Sequence, residues 1–217
     1  MNAPADDREG FAAFLLRMRS RGLDNKALAA AIEATPRRAF IPDQWQEHAW
    51  LDGMLPIECG EAIESIDLQA HAIAALGIEA GHRVLEVGTG SGFTAAVMAR
   101  LGGRVTTLER YKKLANLARQ RFETLAIGTA SPRHTDGANG LAAEGPFDRI
   151  IVWAAFDGMP RHFVDQLASG GVLIAPIGGA ESEQALARLT KVGSRFDRED
   201  LAQVRLQPLT AGLAKVL

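Results

Sequence analysis

The sequence predicts an α/β protein built on a doubly wound, mostly parallel sheet, with a helical cover ahead of it and a small C-terminal extension behind it. Three observations carry that expectation. Apolar strand-like runs alternate with amphipathic helical runs through the middle of the chain, as parallel strands joined by right-handed crossovers require. Arg83-Val84-Leu85-Glu86-Val87-Gly88-Thr89-Gly90-Ser91-Gly92-Phe93 joins one such strand to a helix through glycines at alternate positions. The next strand, Arg104 to Glu109, ends in an acid where a nucleoside-binding α/β unit places one.

Met1 to Arg8 is polar and is expected to fray. Phe11, Phe14, Leu15 and Met18 then repeat at helical spacing until Gly22. Asp24 or Asn25 can cap a second helix that carries Leu28, Ala29 and Ile32 inward and stops before Pro36. With no strand near them, these helices are expected to cover the main sheet. Residues 39–67 follow no regular period, and such a stretch reads either as a lid or pocket wall or as a structural arm over the sheet. Asp67 is expected to cap a helix from Leu68 to Leu76 that leads into the glycine-loop strand. Beyond Glu109, Leu114, Leu117, Ala118, Phe122 and Leu125 mark a helix, and Asp136-Gly137 closes a short strand. Pro146 to Ala155 holds a buried strand, Phe163, Val164 and Leu167 face inward from a helix, and Gly170 to Pro176 is the following strand. The chain reads as one domain over 1–217, with N-terminal helices and arm over 1–67, a ligand-binding core over 68–180 and C-terminal strands over 181–217.

Composition narrows the function classes. The 217 residues, 47% of them hydrophobic, can bury one sizeable core. A net charge of −2 with mixed signs provides no basic footprint for a nucleic-acid partner. Cys59 is the single cysteine, which excludes an internal disulfide framework and a cysteine-rich metal site. No apolar run reaches the length of a membrane span and no secretory h-region opens the chain, so a cytoplasmic protein, monomeric by default and without metal, is expected.

The glycine loop points to the ligand. Its alternate glycines let the strand turn tightly and bring the backbone close to a bound molecule. The spacing is G-x-G-x-G rather than the dinucleotide G-x-G-x-x-G, and Glu86 ahead of it would repel a pyrophosphate but hold a ligand's amino group. Glu109 is placed to accept from both ribose hydroxyls and Asp136 from an adenine amino group. Trp153, at the carboxyl end of its strand, is expected to line the pocket, with core packing as the alternative. The loop resembles the first motif of the class I S-adenosylmethionine-dependent methyltransferases.

Several pieces, in order, resemble one family within that class, the protein-L-isoaspartate (D-aspartate) O-methyltransferases. They are Arg38-Ala39-Phe40-Ile41-Pro42, Leu55-Pro56-Ile57, the run 83–93, Leu108-Glu109-Arg110, Asp136-Gly137 with Gly140, Pro146-Phe147-Asp148, Ala154-Ala155, Gln166-Leu167 with Gly170-Gly171, Pro176-Ile177-Gly178, and Val204-Arg205 with Pro208-Leu209. The glycine motif is shared by the whole class, whereas the early arm and the late Val-Arg with Pro-Leu are more particular. The resemblance implies a Rossmann-like methyltransferase domain and S-adenosylmethionine as donor, leaving S-adenosylhomocysteine. Its donor site would comprise Glu86, Gly88, Thr89, Gly90, Ser91, Gly92, Glu109, Arg110, Asp136, Gly137 and Trp153. It further implies repair of damaged proteins by esterifying the α-carboxylate of isoaspartyl residues.

One segment departs from the family pattern. Where the family carries a G-Q-T-I-S-Q-P-like stretch whose serine lies by the substrate carboxylate, this chain has Gly60-Glu61-Ala62-Ile63-Glu64-Ser65-Ile66. Glu64 takes the serine's place and Ser65 follows it, while Glu58 and Glu61 add further acid to the expected anion pocket. Isoaspartyl methylation then requires that Glu64 turn away, be protonated, or let Ser65 substitute. A carboxylate acceptor is already ionised at neutral pH and needs alignment rather than a base. A small-molecule hydroxyl or amine acceptor needs a general base, for which Glu64, or His48 or His71 if near, are the candidates. A non-catalytic protein that binds the donor and a partner is the remaining alternative.

Overall fold

The computed structural model describes residues 5–215, with side chains described from residue 7 onward. Seven strands form the main sheet: β3 (Arg83–Val87), β4 (Arg104–Glu109), β5 (Ala130–His134), β6 (Phe147–Val152), β7 (Leu167–Ile177), β8 (Gln184–Val192) and β9 (Arg195–Val204). They lie in the order β5-β4-β3-β6-β7-β8-β9, with the first five parallel and the last two antiparallel. Two short strands ahead of them, β1 (Leu55–Pro56) and β2 (Ala62–Ile63), pair antiparallel within the irregular arm. From β3 the chain winds outward one way through β4 and β5, then returns past β3 to β6 and β7. That reversal places a crevice outside the carboxyl ends of β3 and β6, where doubly wound sheets bind ligands.

Helices α1 (Ala5–Ser20), α2 (Lys26–Glu33), α3 (Ile66–Leu76), α4 (Phe93–Arg100) and α5 (Lys112–Thr124) share one core with one face of the sheet. Val84, Val105, Ile151 and Ile174 point into that core, while Leu85, Val87, Ile150, Val152 and Leu173 point to the other face. The period of two in strand side chains divides them so. The second face is closed by Phe163 and Val164 of the short α6 (Arg161–Val164) and by Phe156 and Leu209. The strands buried on both faces are apolar throughout, as parallel strands under helices must be. Edge strand β9 is instead mostly exposed and carries Arg195, Asp197, Arg198, Glu199 and Asp200, which discourages further pairing.

Several expectations are corrected. Residues 1–4 lie outside the described residues, but Ala5 to Arg8 already belong to α1, because Asp7 accepts from Trp50 Nε1 at 2.9 Å and from Arg38 Nε at 2.7 Å. The first two helices pack on α3 and α4 rather than on the sheet itself. Ser65, not Asp67, caps α3: its Oγ accepts from Leu68 N at 3.2 Å. Asp67 is 1% exposed and instead receives Arg17 and Arg21, at 2.8 and 2.9 Å. Leu167 is the first residue of β7 rather than part of a helix, since α6 ends after one turn at Val164. No helix among the described residues is long and apolar enough to cross a membrane.

Candidate functional site

A cavity of about 320 Å³ opens at the carboxyl ends of the parallel strands, within the range of small-ligand sites. Its floor is the loop after β3, Gly88 to Ser91, and its sides come from Glu109, Arg110 and Tyr111 after β4, Gly137 and Ala138 after β5, and Trp153 and Ala154 after β6. The arm closes it from one side through Glu61 to Glu64, and α3 contributes Gln69. The chain after β9 closes another side with Gln207 to Thr210, pairing Ala155 with Pro208 and joining Glu61 through the Gln207 amide.

The glycines are needed where they stand. Gly88 has φ of 93°, and a Cβ there would stand 3.2 Å from Trp153 Cβ. A Cβ on Gly137 would stand 2.7 Å from Val87 Cγ1, so only glycine lets that backbone border the cavity. Arg121 holds the loop from outside by donating from Nη1 to the Ser91 carbonyl at 2.9 Å.

Glu109 is 5% exposed and lines the cavity. Its oxygens accept from Gly90 N at 2.9 Å and Tyr111 N at 3.0 Å, which leaves lone pairs for a further donor. Burial raises its pKa, against the backbone bonds that favour the anion. Glu86 is not where it was expected. Being one residue short of the strand end, it points beneath α4, where it is fully buried and outside the cavity lining. There it accepts from Thr94 Oγ1 at 2.5 Å, Thr107 Oγ1 at 2.6 Å and Trp153 Nε1 at 3.0 Å. Burial pushes its pKa up to about 7, although all three bonds oppose that rise. Glu86 therefore holds Thr94 and Trp153, which do line the cavity, rather than facing a ligand itself.

Of the other expected residues, Gly88, Thr89, Gly90, Ser91, Arg110, Gly137 and Trp153 line the cavity, and Gly92 begins α4 behind it. Asp136 does not: its carboxylate accepts from Ala138 N at 2.9 Å and from Gly212 N at 2.8 Å. Ser65 faces away as the α3 cap and hydrogen-bonds Asp52, so it offers no substitute hydroxyl. Glu58 pairs with Arg121 at 3.9 Å outside the lining. His48 and His71 are exposed and outside it as well. Glu64 does line the cavity, makes no hydrogen bond among the described residues, and has its pKa pushed up to about 7 by burial. Gln69, Tyr111 and Gln207 were missed, and only Gln69 had a signal, an amide among the inward positions Ile66, Ala70 and Ile73 of a buried helix. No group of three or more metal-ligating side chains occurs among the described residues.

The chamber suits a nucleoside with an amino-acid arm: an acid with free lone pairs at one end, an open glycine backbone between, and Glu64 with the Gln69 amide at the other. Residues 11–214 match the family model for protein-L-isoaspartate(D-aspartate) O-methyltransferase. A protein-L-isoaspartate O-methyltransferase of Rhizobium meliloti is 43% identical over 93% of this chain and 99% of its own length. Another, from Azorhizobium caulinodans, is 42% identical over 97% of each chain. A solved protein-L-isoaspartate O-methyltransferase superposes with a TM-score of 0.82 over 94% of this chain and 67% of its own, at 24% identity, which shows the shared fold. A Plasmodium falciparum protein assigned to the same activity was solved with S-adenosyl-L-homocysteine, with a TM-score of 0.77 and 26% identity over 91% of this chain and 97% of its own.

Proposed function

This chain belongs to the protein-L-isoaspartate (D-aspartate) O-methyltransferase family, and from that premise we propose that it transfers the methyl group of S-adenosylmethionine to the α-carboxylate of isoaspartyl residues in proteins. The observation that carries this reading is the continuity of one cavity from Glu109 and the glycine loop to Glu64 and Gln69, which lets donor and acceptor meet. S-adenosylmethionine, when bound, supplies an electrophilic sulfonium methyl. Glu109 would accept from the ribose hydroxyls, the backbone of Gly88 to Gly90 would border the amino-acid arm, and Gly137 and Ala138 would border the base.

An isoaspartyl carboxylate is ionised at neutral pH, so no residue has to take a proton from it. The residues contribute alignment and exclusion of water instead. Trp153, fixed by its bond to Glu86, and the segment Gln207 to Thr210 wall the chamber so that the two reacting groups meet away from bulk solvent. Glu64 can face that carboxylate as an uncharged acid, because burial holds its proton into the neutral range.

A labelled-methyl transfer assay on an isoaspartyl peptide and its normal aspartyl twin tests the proposal. Base-labile label on the isoaspartyl peptide alone is expected. Equal labelling of both peptides, or label only on small hydroxyl or amine acceptors, would overturn it.

A further inference from the structure

Gln69 is 4% exposed, yet its side chain borders the acceptor end of the cavity. Its Oε1 accepts from Arg37 Nη1 at 2.8 Å. A guanidinium can only donate, so this bond fixes which way the amide faces. The Gln69 Nε2 then carries both donor hydrogens, makes no hydrogen bond among the described residues, and is not among the polar atoms sealed from solvent without a partner. A buried amide with two unused donors open to a cavity is costly unless something with lone pairs occupies the space.

Arg37 is held in place behind that amide by contacts of its own. It is fully buried, its Nε donates to the Ala49 carbonyl at 2.6 Å, and its Cζ lies 4.5 Å from the centroid of the Phe93 ring. Burial lowers its pKa to about 9, still high enough to keep it charged at neutral pH. A buried cation one bond behind the amide polarises the Gln69 N–H groups toward an anion in the cavity.

Resting on the reading above, we propose that Gln69, held by Arg37, binds the acceptor's carboxylate through its Nε2 hydrogens. Gln69 is the contacting residue and Arg37 its positioning residue. Both belong to elements outside the glycine-loop core: Arg37 lies just beyond α2, and Gln69 in the first turns of α3. The donor is bordered by loops at the other end, which is why the acceptor is assigned to this one.

The test uses Gln69→Glu, which leaves Arg37 a partner but removes the donors, and Gln69→Leu, which removes both; thermal midpoints check that each variant is folded. For isoaspartyl peptide, KM is expected to rise roughly 10- to 100-fold in Gln69→Leu, the loss of one hydrogen bond to a charged group, and at least as much in Gln69→Glu, which also sets a like charge against the acceptor, with kcat changed less in both. Calorimetric binding of the peptide to protein saturated with S-adenosylhomocysteine should weaken by the same factor, and S-adenosylhomocysteine affinity should stay within about twofold. An unchanged peptide KM in folded variants overturns the inference while leaving the proposed function intact. An equal loss of S-adenosylhomocysteine affinity overturns it by assigning the amide to the donor's own carboxylate. Wild-type protein that neither binds nor labels the isoaspartyl peptide overturns the proposed function and this inference together.

Discussion

Replacing Glu64 with Gln removes one proton-binding group from the chamber and leaves its shape, so two pH profiles should change together. Burial raises the Glu64 pKa from the ordinary 4.5 to about 7, and no neighbouring charge shares in that shift. A difference of about 2.5 units corresponds to roughly 3 kcal/mol. The sign follows from where the proton resides. Below about pH 4.5 both folded and unfolded chains hold it, and Glu64 costs nothing. Between about 4.5 and 7 the unfolded chain releases it first, so stability falls with pH, and above about 7 the full cost remains. Glu64→Gln should therefore melt like the wild type at pH 4 and higher by roughly 6–12 °C at pH 8, at about 2–4 °C per kcal/mol for a chain of this size. Catalysis should follow the same group. A like charge about 4 Å from an ionised acceptor costs on the order of 4 kcal/mol at an effective dielectric of about 20, close to a thousandfold in binding. The wild-type kcat/KM for an isoaspartyl peptide should then fall about tenfold per pH unit above 7, and the variant's should stay flat there. Glu86 has a similar pKa but is present in both proteins and cancels. Parallel pH profiles for the two proteins, with a constant gap in melting temperature, would refute the reasoning.

Further outcomes follow from single contacts. Glu109→Ala removes the acceptor for Gly90 N and Tyr111 N and the lone pairs facing the cavity, so S-adenosylhomocysteine binding should weaken by roughly 1–3 kcal/mol in calorimetry. Trp153→Phe should abolish the fluorescence change on S-adenosylhomocysteine binding while Trp45 and Trp50 still emit, since Trp153 is the tryptophan that lines the cavity; a change that persists would place the reporter elsewhere. Asp67→Asn should lower stability by about 2 kcal/mol, because two arginines lose their buried anion but stay partly hydrated, and S-adenosylhomocysteine affinity should be unaffected.

The core was legible because local chemistry there fixes the structure. Alternating apolar runs and the glycine loop declare the strands and the turn within a few residues of sequence, and Glu109 ends its strand where the cavity opens. Glu86 shows the limit of that reading. Both acids follow apolar strand residues, but Glu109 ends β4 and turns into the crevice, while Glu86 keeps the parity of Val84 and faces α4. Parity does not separate them, since Glu109 shares the face of Val105 as Glu86 shares that of Val84; position along the strand does, Glu109 being the last residue of β4 and Glu86 one short of the end of β3. Asp136 misled for another reason: the amide that occupies its carboxylate, Gly212 N, comes from 76 residues further along the chain.

The acceptor side was legible only in outline, and the cause is physical. Between residues 39 and 67 no period announces which side chains point inward, because the arm holds its shape by contacts across long separations rather than by repeating backbone bonds. Arg17 reaches the Trp50 carbonyl across 33 residues and Asp67 across 50. Ser65 illustrates the consequence. A hydroxyl beside Glu64 reads as a substitute for a substrate-binding serine, but the start of α3 needs an acceptor for its unpaired N–H groups, and Ser65 supplies it. With that hydroxyl committed, the groups left at that end of the cavity are Glu64, its pKa raised to about 7 by burial, and the Gln69 amide, oriented from behind by a buried cation. A donor pocket has to match one fixed molecule, so its residues follow a motif. An acceptor pocket has only to present hydrogen-bond donors to a carboxylate, and different side chains held by different supports can do that.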